Sequence, residues 1–365
     1  MLNVVCLKSK CLPLSPVNLS NLSTFPATFT EIPAMHRLHL VFLFIFCYNF
    51  LPAQKIEILT SGTKTSIRGL SVVTDQVIWA SGSSGTVGKS IDGGKNWEWI
   101  TVKGFEKRDF RDIEAFDKKT AIIMAIDTPA HILKTTDGGK NWNIVFTDRT
   151  PGMFLDAMDF YDKSHGIVIG DPINGNTFIA ATTNKGESWI SFANVARPNC
   201  DSGEAYFAAS GTNIKYFKNK TYKAVSGGLQ SNLQDGFHTT LLPIMQGKET
   251  TGANSIAAWN RSLLVIVGGD FANDKKASDN CVLSTDGGQT FKTPKTPPSG
   301  YRSCVEFITK KKLVACGTSG VDISDDGGDT WRLISNEGFH VCQKAKSGKA
   351  VFLAGGNGKI GILKL

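Results

Sequence analysis

One eight-residue pattern, Ser/Thr-x-Asp-x-Gly-x-Thr/Asn-Trp, organises this 365-residue chain. It reads Ser90-Ile91-Asp92-Gly93-Gly94-Lys95-Asn96-Trp97 and then Thr135-Thr136-Asp137-Gly138-Gly139-Lys140-Asn141-Trp142. It returns, with substitutions, as Thr182 to Trp189 (Asn184 for the Asp), Ser284 to Phe291 and Ser324 to Trp331. The chemistry is that of a tight hairpin. An Asp carboxylate gathers backbone N–H groups, the glycines supply positive φ, and the ring at the end plugs into a core between sheets. The Asp residues are therefore read as structural, not as catalytic groups or metal ligands.

The aromatic positions step by 45, 47, 102 and 40 residues, and the 102 spans two repeats, one of which has lost the pattern. Periods of 40 to 50 residues with short strands point to four-stranded β-propeller blades. Aligning the start of the first strand of each repeat gives seven quartets. They are Ile67-Arg68-Gly69-Leu70, Phe110-Arg111-Asp112-Ile113, Leu155-Asp156-Ala157-Met158, Gly203-Glu204-Ala205-Tyr206, Ala253-Asn254-Ser255-Ile256, Tyr301-Arg302-Ser303-Cys304 and Phe339-His340-Val341-Cys342. The expectation is an all-β, seven-bladed propeller over residues 54–365. Its last blade lacks a fourth strand, which Lys55 to Thr60 should supply, closing the ring and hiding the sheet edges.

First strands line the central channel of a propeller. The second residue of each quartet should then face one channel mouth: Arg68, Arg111, Asp156, Glu204, Asn254, Arg302 and His340. All seven are polar, in strands otherwise built from apolar residues. Two roles are open to them: a site for an anionic ligand, or mutual pairing of Arg and carboxylate groups at a wet rim. Asp127, Asp171 and Asp270, with Gly227-Gly228 in the fourth repeat, occupy comparable places at second-strand ends and either extend the funnel or terminate the strands.

The only long apolar run lies ahead of the repeats. Met35, His36 and Arg37 precede an uninterrupted stretch from Leu38 to Phe46, and Leu51-Pro52-Ala53 offers a cleavage site before Gln54. Residues 35–53 read as a secretory signal peptide, too short for a membrane span, with Met35 as the true start and 1–34 as an upstream extension. The protein is then expected to be periplasmic or extracellular. The part after Ala53 carries 37 basic and 31 acidic residues, a net of +6. That balance favours anionic partners but does not mean nucleic acid, for which no signature appears. Its five cysteines (Cys200, Cys281, Cys304, Cys316, Cys342) include no C-x-x-C pair. They read as buried thiols, with a disulfide as the alternative in an exported protein.

With the repeats in hand, the chain resembles the Asp-box (bacterial neuraminidase repeat) propellers. Within them it is similar to secreted bacterial relatives of the photosystem II stability and assembly factor. The resemblance covers about residues 56–365 and rests on Arg68-Gly69-Leu70-Ser71-Val72-Val73, Asp109 to Phe116, Gly203-Glu204-Ala205 with Phe207 to Ser210, and Gly300-Tyr301-Arg302-Ser303. It implies a scaffold that holds a partner protein on an Arg-bearing surface. Relatives of this subgroup often carry the label oxidoreductase, but the residues give it no chemistry. Gly356-Asn357-Gly358-Lys359-Ile360-Gly361 matches G-x-G-x-x-G without the following helix or acidic residue that a dinucleotide site needs, and reads as a turn between the last strands.

The rival is a sialidase-like hydrolase, which clamps a carboxylate with an Arg cluster and uses an acid and a Tyr–Glu nucleophile pair. Arg68, Arg111, Arg302, Asp112, Glu204 and Tyr301 supply those residue types, yet the chain has Arg68-Gly69-Leu70 where sialidases have Arg-Ile-Pro. The favoured expectation is a binding or assembly scaffold. It needs no cofactor or metal and takes an anionic group of a protein, peptide or glycan. Arg68, Arg111 and Arg302 would act as clamps, with Asp156 and Glu204 orienting them.

Overall fold

The computed structural model describes residues 54–365, so the expected signal peptide and upstream extension lie outside the described residues. The fold is all-β, with two single-turn 3₁₀ segments. Among the described residues no helix is long and apolar enough to cross a membrane.

Seven sheets form a ring of blades. Blade 1 runs Ile67–Val72, Ile78–Gly82, Thr86–Ser90 and Glu98–Thr101; blade 2 runs Phe110–Ala115, Ala121–Ala125, Ala130–Thr135 and Asn143–Asp148. Blade 3 (Leu155–Phe160 to Ile190–Ser191) and blade 6 (Cys304–Phe307 to Arg332–Ser335) follow the same antiparallel order. In blade 7, Val341–Lys344, Val351–Ala354 and Ile360–Lys364 are completed by Lys55–Thr60, which pairs with the last of them. The Gly356–Gly358 turn joins two of those strands, as the sequence suggested.

Each eight-residue pattern folds as one hairpin. Asp92 Oδ1 accepts Asn96 N at 3.0 Å, Ser90 Oγ accepts Gly94 N at 2.9 Å, and Trp97 Nε1 donates to Gly94 O at 3.0 Å. Asp137, Asn184, Asp286 and Asp326 repeat the backbone contact. These N–H donors stabilise the charged form, so the Asp92 and Asp137 carboxyls fall to about 2. The rings seal neighbouring blades: Trp189 packs with Ile122 and Met124 of blade 2, and Trp331 with Val265 and Leu283 of blade 5. Lysines add a second tie, unforeseen in the sequence. Lys89 Nζ donates to Gly138 O at 2.6 Å, Lys134 Nζ to Lys185 O at 2.8 Å and Lys223 Nζ to Gly287 O at 2.7 Å, each into the turn of the following patterned blade.

Blade 4 departs from the alignment. Its first strand is Ile214–Tyr216, not the stretch at Glu204, and a two-residue turn, Gly236-Phe237, replaces the lost pattern between Asn232–Asp235 and His238–Leu241. Glu204–Ala205 instead pairs with Gly227–Gly228, which joins Thr251–Ala258 in the sheet of blade 5. The approach there admits no side chain: a Cβ on Gly252 (φ +135°) would sit 2.2 Å from Gly227 Cα. Residues 203–209 therefore cross the channel mouth as a strap. All five cysteines of the described part are free thiols, four of them buried.

Candidate functional site

The first strands of blades 1, 2, 3 and 5 share one irregularity. Their register slips by a residue at Arg68, Arg111, Asp156 and Asn254, the second member of each quartet. Such a bulge leaves the extra residue unpaired and re-aims its side chain, which is how an otherwise apolar strand can present a polar group at the channel mouth.

A cavity of about 470 Å³ opens at that mouth, lined by Arg68, Arg111, Asn254, Tyr301 and His340, with Asp171 and the strap residues Ala205 to Ala209 on one side. Phe154, Phe207 and Phe271 supply an apolar wall. Arg68 Nη1 makes one long contact, 3.4 Å to Ala209 O, and among the described residues no carboxylate pairs with it. Arg111 Nη1 donates to Ala208 O at 3.3 Å and Nη2 to Asp109 Oδ2 at 3.2 Å. Burial, and then repulsion from Arg111, lowers the Arg68 pKa. Two guanidinium groups thus share a partly desolvated cavity.

His340 carries the same signature. Burial and the nearby Arg68 bring its pKa down to about 4, so it is neutral at pH 7. Its Nδ1 lies 2.8 Å from Ile67 O, a carbonyl that can only accept, which puts the ring hydrogen on Nδ1 and leaves Nε2 as an acceptor. Tyr301 Oη donates to Asn254 Oδ1 at 2.8 Å, and burial raises its phenol. Asp171 accepts Tyr206 N at 2.9 Å, and burial raises its carboxyl too.

The other members of the expected ring lie elsewhere. Arg302 is fully buried in blade 6, with Nε on Asp322 Oδ2 at 2.6 Å and Nη1 on Tyr301 O at 2.7 Å. Asp156 is wholly enclosed; burial and neighbouring Asp171 push its carboxyl well above the usual range, against the pull of Arg111. Glu204, in the strap, is 5% exposed and accepts Asp201 N at 2.8 Å and the Ser226 hydroxyl. Asp112 ties blade 2 to blade 3 through Met158 N at 2.8 Å. Tyr301 and Glu204 are thus each bonded to other groups and not to one another. Of the strand-end acids, Asp171 joins the cavity, whereas Asp270 caps its own turn through Ala272 N at 3.0 Å and Asp127 takes positive φ. The strap carbonyls and the phenylalanine wall were not foreseen; only the apolar run Ala205 to Ala209 beside a Gly hinted at a segment that lies over other residues.

A seven-bladed β-propeller with a cationic cavity at one channel mouth is the class that this architecture defines. No protein-family model matches the chain, and no curated protein does. Among solved structures it is similar to "YCF48 bound to D1 peptide", at 16% identity and TM-score 0.61 over 87% of this chain and 96% of that one. It is also similar to YCF48 from Cyanidioschyzon merolae, at 17% identity and TM-score 0.60 over 84% and 98%, and to the WD40 propeller domain of Doa1, at 13% and 0.58 over 85% and 97%. Those likenesses establish the fold.

Proposed function

We propose that this protein is an exported binding or assembly scaffold that takes an anionic group of a protein or peptide between Arg68 and Arg111. The observation that carries the reading is the Arg68 guanidinium: partly desolvated, repelled by a second guanidinium and without a carboxylate partner among the described residues. A carboxylate, sulfate or phosphate would relieve that repulsion and accept bidentate hydrogen bonds in a site of reduced dielectric. The phenylalanine wall would hold an adjoining apolar side chain, and Nε2 of neutral His340 would accept from a ligand N–H. One similarly folded protein was solved with a bound peptide, which supports a peptide as the occupant. The hydrolase reading lacks such support, since Tyr301 Oη is given to Asn254 and Glu204 to Ser226 and Asp201.

The test is capture from the envelope of the source cell, with the wild type beside the double variant Arg68→Ala, Arg111→Ala. A protein retained by the wild type and lost by the folded variant is the expected result. Equal retention by both would overturn the reading.

A further inference from the structure

The inner strands also end at the opposite mouth of the channel, and a second cavity of about 560 Å³ opens there, within the range of small-molecule sites. Five blades contribute the closing residues of their first strands, among them Glu114, Asp159, Lys215, Glu306 and Lys344. The lining carries four carboxyl and four ammonium groups, so this mouth is balanced where the other is cationic.

Most of those charges are already satisfied. Lys346 Nζ sits between Glu114 Oε1 (2.5 Å), Ser71 Oγ (3.0 Å) and Ala115 O (3.2 Å). Asp159 Oδ2 accepts Tyr216 N at 2.6 Å, and Lys344 Nζ donates to Gly348 O at 3.1 Å. Asp162 and Lys163 are exposed to solvent, whereas Lys215 and Glu306 are half-buried. Each feels the other's charge, yet neither forms an ion pair with the other or with any of the described residues. Burial, only partly offset by Lys215, raises the Glu306 carboxyl to about 7, and Asp159 and Glu306 together raise Lys215 despite its burial.

Both groups also face a smaller lobe of about 320 Å³, which ends on Trp259 and Phe307. The main cavity has its own aromatic wall in Phe116, Phe160 and Tyr161. The Glu306 carboxyl accepts the Lys344 backbone N–H, but an ammonium and a carboxyl without an ion-pair partner thus line both lobes, each lobe with its own aromatic wall.

We propose that this second mouth binds a zwitterionic aromatic small molecule of the α-amino acid class. Its ammonium would bond to Glu306, its carboxylate to Lys215, and its ring would lie on one of the aromatic walls. Both side chains are half-buried, so a lone anion or cation would satisfy one group and leave the other partly desolvated without an ion-pair partner, whereas a zwitterion completes both and preserves the neutrality of the lining. The site shares no residue with the Arg68 cavity and stands independently of it.

Isothermal titration of the protein with L-phenylalanine tests this. L-phenylalanine should saturate at one per chain, and N-acetyl-L-phenylalanine and L-phenylalaninamide, each lacking one charge, should bind at least tenfold more weakly. Glu306→Gln and Lys215→Met should each lose tenfold or more, and Arg68→Ala should bind L-phenylalanine like the wild type. No saturation with L-phenylalanine, equal affinity for either analogue, full affinity in Glu306→Gln, or loss in Arg68→Ala would each overturn the proposal. The two analogues decide the matter on the wild type alone should Lys215→Met fail to fold.

Discussion

Arg302 Nε donates to Asp322 Oδ2 at 2.6 Å, and neither side chain reaches solvent. The pair links the start of blade 6's first strand to its third strand, Gly320–Ser324, while Nη1 holds Tyr301 O and Ser319 Oγ (3.1 Å). Removing one member leaves the other charge buried alone, which typically costs about 3–5 kcal/mol. Arg302→Ala should therefore lose stability on that scale in urea unfolding, and Asp322→Ala likewise. Loss of a kilocalorie or less would mean that the arginine is not enclosed as described.

Arg68 should behave in the opposite way. Its guanidinium is desolvated beside Arg111 and makes one 3.4 Å contact, so it contributes strain more than stability. Arg68→Met keeps the apolar stem and removes the charge. The thermal midpoint of this variant should equal or exceed that of the wild type, while capture of the anionic partner falls at least tenfold. A marked drop in the midpoint would assign Arg68 to the scaffold.

The contrast between these two arginines shows what the sequence can and cannot convey. Repeat spacing located six of the seven blades, and the closing strand Lys55–Thr60 residue for residue, because the turn chemistry is local and recurs. The alignment also found the bulged positions at Arg68, Arg111, Asp156 and Asn254. Exposure was not legible, since it depends on groups distant in the chain: Asp322 draws Arg302 inward, and the strap with Asp171 closes around Asp156. Blade 4 was misaligned because Gly203-Glu204-Ala205 carries the small-polar-small character of a first strand while pairing, through Gly227–Gly228, into blade 5.

His340 gives the first mouth a pH dependence. Its folded pKa of about 4 lies below the ordinary histidine value of 6.5, so on acidification the unfolded chain binds the proton first. Its contribution is complete above about 6.5 and is lost as the pH falls towards 4. His340→Gln should lose less stability than the wild type between pH 7 and 4.5, read from thermal midpoints at the two values. Equal losses would place His340 in contact with water.

At the second mouth the sign reverses. Glu306 titrates at about 7 in the folded protein against 4.5 ordinarily, so on raising the pH the unfolded chain releases its proton first. Stability is then lost between about pH 4.5 and 7. Glu306→Gln cannot ionise, and its midpoint should rise relative to the wild type on going from pH 4.5 to 8. A constant difference across that range would show that Lys215 already neutralises the carboxylate.

Ring closure rests on the strand at the other end of the chain. Lys55–Thr60 pairs with Ile360–Lys364 from Lys55↔Lys364 to Thr60↔Ile360, and Ile56 and Leu59 pack on the cluster that contains Phe352 and Leu353. Leu59 also reaches blade 1: a Cβ on Gly94, which has φ +84°, would lie 2.6 Å from Leu59 Cδ1. The strand thus completes blade 7 and packs on the turn of blade 1. Deleting residues 54–60 should expose Ile360–Lys364, an apolar edge ready to pair with another chain. The expected outcome is a lower thermal midpoint with concentration-dependent association in light scattering. A synthetic peptide of sequence 54–60 should reverse both by filling the vacant edge. A deletion variant that stays monomeric with an unchanged midpoint would mean that the blades hold the ring without this strand.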